Sequence, residues 1–278
     1  GPERIKAEIA KYDSVIVGDI PAHERNYIIK YCFGQNIRTY SVPKISDILL
    51  RSSVELNLFD SPLLLSRNNQ GLQIEQEIMK RNIDIVGSLI GIVITIPIFL
   101  IVGICIKMTD GGPVIYQQTR LTKNGKKFQI YKFRTMVQNA EADGKARLAS
   151  EGDPRILPIG RVLRATRLDE LPQIYNILKG DMSIVGPRPE RPELAAELEK
   201  EIPEFSFRLQ VKAGLTGYAQ VYGKYNTTPY DKLKLDLTYI RNYSVLEDLK
   251  LIIMTPKIML MKESTEGVKE EQEPTNGK

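Results

Sequence analysis

The chain has 278 residues, of which 42% are hydrophobic and 26% charged, proportions that exclude a disordered chain, a collagen and a disulfide-stapled scaffold. Two distant cysteines, Cys32 and Cys105, and a single histidine, His23, are too few soft ligands for structural zinc. The net charge of +5 is unevenly spread, since thirteen basic residues face five acidic ones between Lys107 and Arg167, and charge clustered in this way predicts an anionic partner: phosphate, nucleic acid or lipid headgroup.

Gly1-Pro2 without an initiator methionine reads as a protease scar, with the natural chain beginning further upstream. Residues 1–70 are expected to form a partial Rossmann-like domain: a strand at Val15–Gly18, a helix from Pro21 to Phe33 and a strand from Ile37 to Val42. The glycine-rich phosphate turn of a nucleotide site is missing there, so the fragment is expected to be structural or regulatory. A polar stretch from Ser66 through Asn68, Asn69 and Gly71 leads into a linker helix over 71–82.

From Ile85 to Ile106 run twenty-two residues without a charge, roughly 33 Å of helix and enough to cross a bilayer. Core helices are shorter and keep a polar face, so the anionic partner is sought at a membrane surface, and nucleic acid is set aside. Lys80 and Arg81 precede the segment and Lys107 follows it, which makes both flanks cytoplasmic by the positive-inside rule. Pro97 near the midpoint removes a helical hydrogen bond and opposes the carbonyl of Val93, a natural place for a bend. Residues 83–107 are therefore expected to enter and leave on one face as a re-entrant helix, with a Pro-kinked spanning helix as the alternative.

Residues 108–262 are read as a catalytic domain. The runs VIYQQTRLT and KKFQIYKFRTM flank Asn124-Gly125, a hairpin signal. Short helices broken by Pro and Gly follow, then a helix over Tyr230–Asn242 and another from Ser244, where Glu247 completes capping-box spacing. The latter has an apolar face through Leu246, Leu249, Ile252, Ile253 and Leu260, interrupted at Pro256; packing on the core and lying in the membrane interface both fit it. Residues 263–278, rich in Glu and Lys and without aromatics, are expected to be a disordered tail.

The densest chemistry lies between Arg161 and Pro189. Asp169 and Glu170 are adjacent carboxylates, and Pro172 predicts that they begin a helix ending near Gly180. Such a pair can be an ordinary helix cap. Here Arg161, Arg164 and Arg167 precede it and Arg188 sits in Gly186-Pro187-Arg188-Pro189, and guanidinium forks bind phosphate oxygens in pairs. With a bound Mg²⁺ the carboxylates become a site for phosphoryl chemistry. Lys132 and Arg134 of KFRTM extend the basic cradle.

At these residues the chain resembles the polyprenyl-phosphate phosphosugar transferases of bacterial sugar polymer assembly, in their form with a single membrane helix. The resemblance rests on Lys80-Arg81 with Asp84, Pro97, Gly112-Pro113 with Gln118 and Arg120, Lys132 to Met136, Leu168 to Gln173, Gly180 to Ser183, Val185 to Pro189, Gly214 to Gly217, and Ala219-Gln220. Ala213 stands where many members have proline, and Tyr218 where tryptophan is frequent. The resemblance implies a membrane-associated α+β catalytic domain, within an overall α/β class, with a re-entrant helix hairpin and interfacial helices, behind the Rossmann-like fragment. It also implies transfer of a sugar 1-phosphate from a UDP-sugar to undecaprenyl phosphate, releasing UMP through a covalent intermediate on Asp169. In that scheme Glu170 binds the required Mg²⁺, while Lys132, Arg134, Arg164, Arg167, Arg188 and Gln220 hold substrate. The setting is the cytoplasmic face of the bacterial inner membrane, at the start of capsule, exopolysaccharide or other surface glycan assembly. Two alternatives remain: a glycosyltransferase releasing UDP, disfavoured by the lack of an Asp-x-Asp motif, and a non-catalytic membrane scaffold whose Rossmann-like part senses a metabolite. No short motif encodes the sugar or the oligomeric state, a homo-oligomer included.

Overall fold

The computed structural model describes residues 2–259 except 52, 59–60, 67–71, 139, 141–152 and 225. The tail over 263–278 and most of the polar stretch before the long helix lie outside the described residues. The chain divides into two compact units, Gly1–Arg67 and Asn68–Lys278.

In the first unit α1 (Pro2–Ile9) precedes β1 (Ser14–Val17), α2 (Ala22–Gly34), β2 (Arg38–Ser41) and α3 (Ile45–Leu50). β1 and β2 pair in parallel with Ser14 opposite Arg38, so α2 is the crossover of one βαβ unit, close to the expected bounds. Arg25 of α2 forks onto Asp47 of α3, with Nη2 at 2.9 Å from Oδ1. An antiparallel hairpin that the sequence reading missed follows, β3 (Val54–Leu58) and β4 (Ser61–Leu65).

The second unit opens with α4 (Ile74–Asp110), 37 residues long. The linker helix and the membrane segment are thus one element, and the helical backbone continues through Pro97. It ends at Gly111, whose φ of 70° is the left-handed conformation glycine tolerates at a C-terminal cap. Both ends of α4 are fastened to the rest of the unit. Before Pro97, Asp84 accepts from Ser183 Oγ at 2.9 Å and from Ile184 N at 2.8 Å. In the same turn Lys80 donates to Asp248 at 2.6 Å and Tyr239 at 3.0 Å, all three buried. After Pro97, Val102 and Ile106 pack with Phe133 and Leu163, and Asp110 pairs with Arg134. Between these anchors Val93, Ile94, Leu100 and Ile101 are exposed.

β5 (Ile115–Leu121) and β6 (Lys127–Phe133) form the expected hairpin, Ile115 opposite Phe133. Its turn places Asn124 at φ 58° and Gly125 at φ 71°, which is the reason for the Asn-Gly pair. Then come α5 (Pro158–Ala165), a 3₁₀ turn at Leu168–Glu170, α6 (Gln173–Lys179), β7 (Ser183–Val185), α7 (Pro192–Glu201), a 3₁₀ stretch at Pro203–Gln210, β8 (Gly214–Thr216), α8 (Tyr218–Val221), α9 (Pro229–Arg241) and α10 (Val245–Met259). β7 and β8 pair in parallel, and a Cβ on Gly214 would stand 2.1 Å from Gly186 N, so both glycines are needed for this approach.

Phe128 and Ile130 of β6 meet Ile177, Met182 and Ala213 in a core cluster. Asn176, fully buried, stitches α6 to β6 by accepting from Tyr131 N at 3.0 Å and donating to Gln129 O at 2.7 Å. Helix α10 begins as expected, with Ser244 Oγ accepting from Glu247 N at 3.1 Å. It is not interrupted at Pro256 but runs on to Met259. Leu251 of this helix is buried, whereas Leu246 and Ile253 of the expected apolar face are exposed.

Candidate active site

Strand periodicity puts Lys132 on the same side of β6 as Phe128 and Ile130, the side that packs against α6. The chain leaves α5 through Arg167, held in the left-handed region at φ 54°, and immediately forms the 3₁₀ turn carrying Asp169 and Glu170. The carboxylates therefore sit one step before α6 rather than in its first turn. Pro172 is the N-cap of that helix, and Leu171 N bonds back to Leu168 O at 3.2 Å.

Glu170 is gripped from two sides. Lys132 Nζ donates to its Oε1 at 2.9 Å and Arg188 Nη2 to the same atom at 2.6 Å, while Arg188 Nη1 approaches Oε2 at 3.4 Å. Burial pushes its pKa upward, but the charges of Arg188 and Lys132 outweigh that and hold Glu170 well below the usual carboxylate range. Asp169 is the opposite case. It accepts no hydrogen bond among the described residues, and burial raises its pKa against the opposing charge of Lys132. Two neighbouring carboxylates thus titrate apart, as in sites where one is held ionised and the other is tuned for reaction.

Arg188 is carried on a braced loop. Gly214 N donates to Pro187 O at 2.8 Å, Arg208 to Arg188 O at 3.0 Å and Arg120 to Pro189 O at 3.1 Å. Arg208 is itself fixed by buried Asp236 at 2.7 Å. The Arg188 side chain keeps 41% of its surface exposed, so it can serve Glu170 and a phosphate together. Arg164 is steadied by Thr135 Oγ1 at 2.9 Å and exerts its charge on Asp169.

Arg167, Glu170 and Gln220 line one cavity of about 250 Å³ whose other walls come mainly from β8 and α10. Both polar atoms of the Gln220 amide are buried there without a partner, a cost of about 1–3 kcal/mol for each group left unsatisfied and a mark of a ligand-binding amide.

Lys132, Arg164, Arg167, Asp169, Glu170, Arg188 and Gln220 therefore belong to one site. Arg134 does not join the cradle. It is buried, its fork lies on Asp110, and its Nε donates to Pro113 O at 2.6 Å; its work is to close the C-terminal end of α4. Pro97 lies in the exposed middle of α4. Sequence reasoning missed the braces Arg120, Arg208 and Asp236, and only Arg120 had a signal, its place among the family motifs. Among the described residues no group of three or more His, Cys, Asp or Glu gathers as a metal cage. A magnesium ion needs only one or two carboxylates beside substrate phosphates, and Glu170, firmly ionised and with only a long contact on Oε2, fits that role.

Comparison with known proteins places this site in a family. The family model for bacterial sugar transferases matches residues 75–262. An Aeromonas hydrophila UDP-N-acetylgalactosamine-undecaprenyl-phosphate N-acetylgalactosaminephosphotransferase is 35% identical over 259 residues, covering 90% of this chain and 59% of that protein. The undecaprenyl-phosphate galactose phosphotransferase of Salmonella typhimurium is 36% identical over 80% of this chain and 49% of its own length. The UDP-glucose:undecaprenyl-phosphate glucose-1-phosphate transferase of Klebsiella pneumoniae is 38% identical over 71% of this chain and 42% of its own. The chain spans about half the length of these curated relatives. With the family model covering Lys132, the Asp169–Glu170 pair, Arg188 and Gln220 alike, the chain belongs to the bacterial sugar transferase family.

Proposed function

We propose that this chain transfers a sugar 1-phosphate from a UDP-sugar to undecaprenyl phosphate, releasing UMP, as the first step of a surface glycan. The observation that carries the reading is the division of labour between the two carboxylates: Glu170 gives its Oε1 to Lys132 and Arg188 and keeps only a long contact on Oε2, whereas Asp169 beside it accepts no hydrogen bond among the described residues. An unbonded carboxylate flanked by cations is equipped to attack phosphorus. Asp169 Oδ forms a bond to the sugar-bearing phosphorus, and the bond from that phosphorus to the bridging oxygen breaks. UMP leaves with the oxygen. An oxygen of the lipid phosphate then attacks the same phosphorus, the acyl phosphate bond to Asp169 breaks, and a lipid diphosphosugar is formed. The anomeric bond is never touched, so its configuration is retained.

Arg188, Arg164 and Arg167 bind phosphate oxygens, and the charge of Lys132 opposes the rise that burial imposes on the Asp169 pKa. Glu170 would hold Mg²⁺, which when bound neutralises charge on the diphosphate. The exposed apolar middle of α4 lies in the bilayer. Fastening of both α4 ends to one unit, through Asp84 on one side of Pro97 and Asp110 on the other, supports a re-entrant helix and a catalytic unit on the cytoplasmic face of the inner membrane. The βαβ unit of residues 14–41 is read as the remnant of a Rossmann-like domain outside the chemistry, because every phosphate-handling residue lies in the second unit.

The test is to add UDP-sugar labelled in its sugar phosphate without lipid acceptor. Label should be trapped on the wild-type chain with release of UMP, and Asp169→Asn should trap none. Trapping on that variant moves the nucleophile elsewhere, and release of UDP in place of UMP overturns the reaction class.

A further inference from the structure

A second cavity, of about 580 Å³, lies between α4 and the catalytic unit. Its walls include Val86 and Ile90 of α4 and Ile174 of α6. Ile184, Leu215 and Ile252 line both this cavity and the one that reaches Glu170 and Gln220. The two cavities share this wall, and we read them as adjoining lengths of one groove. α4 can lie this close to its floor because of glycine: a Cβ on Gly87 would stand 2.6 Å from Ile184 Cδ1, and one on Gly91 3.4 Å from Ile174 Cδ1.

The two ends of the groove differ in chemistry. One reaches Val86 and Ile90, more than half exposed on the apolar stretch of α4, where the surrounding solvent is hydrocarbon. The other reaches Arg167, Glu170 and Gln220. The shared walls are branched aliphatic side chains, which offer a nucleotide or sugar nothing to replace its lost water but suit a methyl-branched hydrocarbon chain. A molecule using both ends carries a phosphate on an isoprenoid tail.

Resting on the function proposed above, we propose that this groove holds the first isoprene units of the lipid acceptor, which enters from the bilayer beside Val86 and Ile90, passes Ile184, Leu215 and Ile252, and brings its phosphate to Asp169. The acceptor phosphate thereby reaches the acyl phosphate without the chain leaving apolar surroundings, and the donor is left the more polar side toward Lys132 and Arg188.

The test fills the groove at its membrane end. Ile90→Trp should obstruct it; the control Ile94→Trp, on an exposed residue of the same helix outside both cavities, should not. The full-length protein in nanodiscs is assayed in two halves: UMP release from UDP-sugar alone, and transfer to undecaprenyl phosphate or to a two-unit polyprenyl phosphate. Ile90→Trp should raise KM for undecaprenyl phosphate about tenfold or more. UMP release, and transfer to the short acceptor, should stay at wild-type values. Ile94→Trp should leave all three unchanged. Equal effects of the two variants, or an unchanged KM in Ile90→Trp, overturn the proposal, the latter being the result expected if an ordinary phospholipid acyl chain fills the groove. If the wild-type chain releases no UMP from any UDP-sugar, the reaction itself is wrong, which is a separate failure from that of the groove.

Discussion

Lys132 Nζ lies 2.9 Å from Glu170 Oε1, yet its charge also acts on Asp169, to which it makes no hydrogen bond among the described residues. For Asp169 burial raises the pKa and Lys132 is the foremost opposing charge. Lys132→Met removes that opposition, so Asp169 should titrate at higher pH. In the proposed mechanism the ionised form attacks, so activity should be present above the pKa and lost as pH falls through it. The acid limb of the pH profile for UMP release should therefore move to higher pH in Lys132→Met, with a lower plateau. An unshifted limb would show that Asp169 ionisation does not limit the first half-reaction.

Gln220 presents the reverse of an ordinary core substitution. Its amide is buried with both polar atoms unpartnered, so Gln220→Leu removes an unsatisfied group while keeping much of the volume. Stability should rise by about 1 kcal/mol while kcat/KM falls about tenfold or more. Thermal unfolding and kinetics on the same preparation decide it. Lower stability would mean that Gln220 has a structural partner.

The buried pair Lys80 and Asp248, 2.6 Å apart with side chains 8% and 2% exposed, holds the base of α4 to α10. Removing either partner alone strands a charge, at about 3–5 kcal/mol. Lys80→Met with Asp248→Leu strands neither, and Tyr239 keeps a contact of 3.4 Å to Val185 O. The double variant should accordingly recover most of the stability lost by each single one in denaturant titrations of detergent-solubilised protein. Additive losses would show that the pair is not an isolated unit.

The elements legible in the sequence were those with a local cause: the Asn124-Gly125 hairpin, the crossover between β1 and β2, the uncharged run of α4 and the Ser244 cap. The carboxylate pair and Arg188 were legible because phosphate chemistry needs such residues close together. What stayed hidden depends on long-range partners. Arg134 lies two residues from Lys132 and has the same charge, a spacing that would keep both on one face of a continuing strand, but β6 ends at Phe133 and the two side chains part, Lys132 to Glu170 and Arg134 to Asp110. Nothing local separates them. The Lys80–Asp248 and Arg208–Asp236 pairs join residues 168 and 28 apart, beyond any helical or strand period. Pro256 misled in another way, because a proline's cost inside a helix can be met by tertiary packing, and the fully buried Leu251 binds that helix to the core.

Arg134 gives a prediction that separates structure from binding. Arg134→Lys keeps the charge but cannot fork onto Asp110 while reaching Pro113 O. It should lower the thermal midpoint of the protein and leave KM for UDP-sugar within about twofold. A large rise in that KM, with the midpoint unchanged, would return Arg134 to the substrate cradle.

The path of α4 can be tested directly. Met79 and Met108 are exposed, at 52% and 81%, on either side of Pro97, and neighbouring residues at both ends bond to the same catalytic unit through Asp84 and Asp110. A helix crossing the bilayer would carry one end about 30 Å from the other, to the opposite face, where one domain cannot hold both. In the re-entrant path proposed above the segment bends within the membrane and both ends return to one surface, and Pro97, which lacks the N–H of a helical hydrogen bond, is where that bend is expected. With Cys32 and Cys105 replaced by serine, Met79→Cys and Met108→Cys should each resist an impermeant thiol reagent added outside intact cells and react fully once the membrane is opened. Labelling of one and not the other from outside would establish a spanning helix. It would also require the fastening of one α4 end to be given up, through either the Asp84 bonds to Ser183 and Ile184 or the Asp110 pair with Arg134.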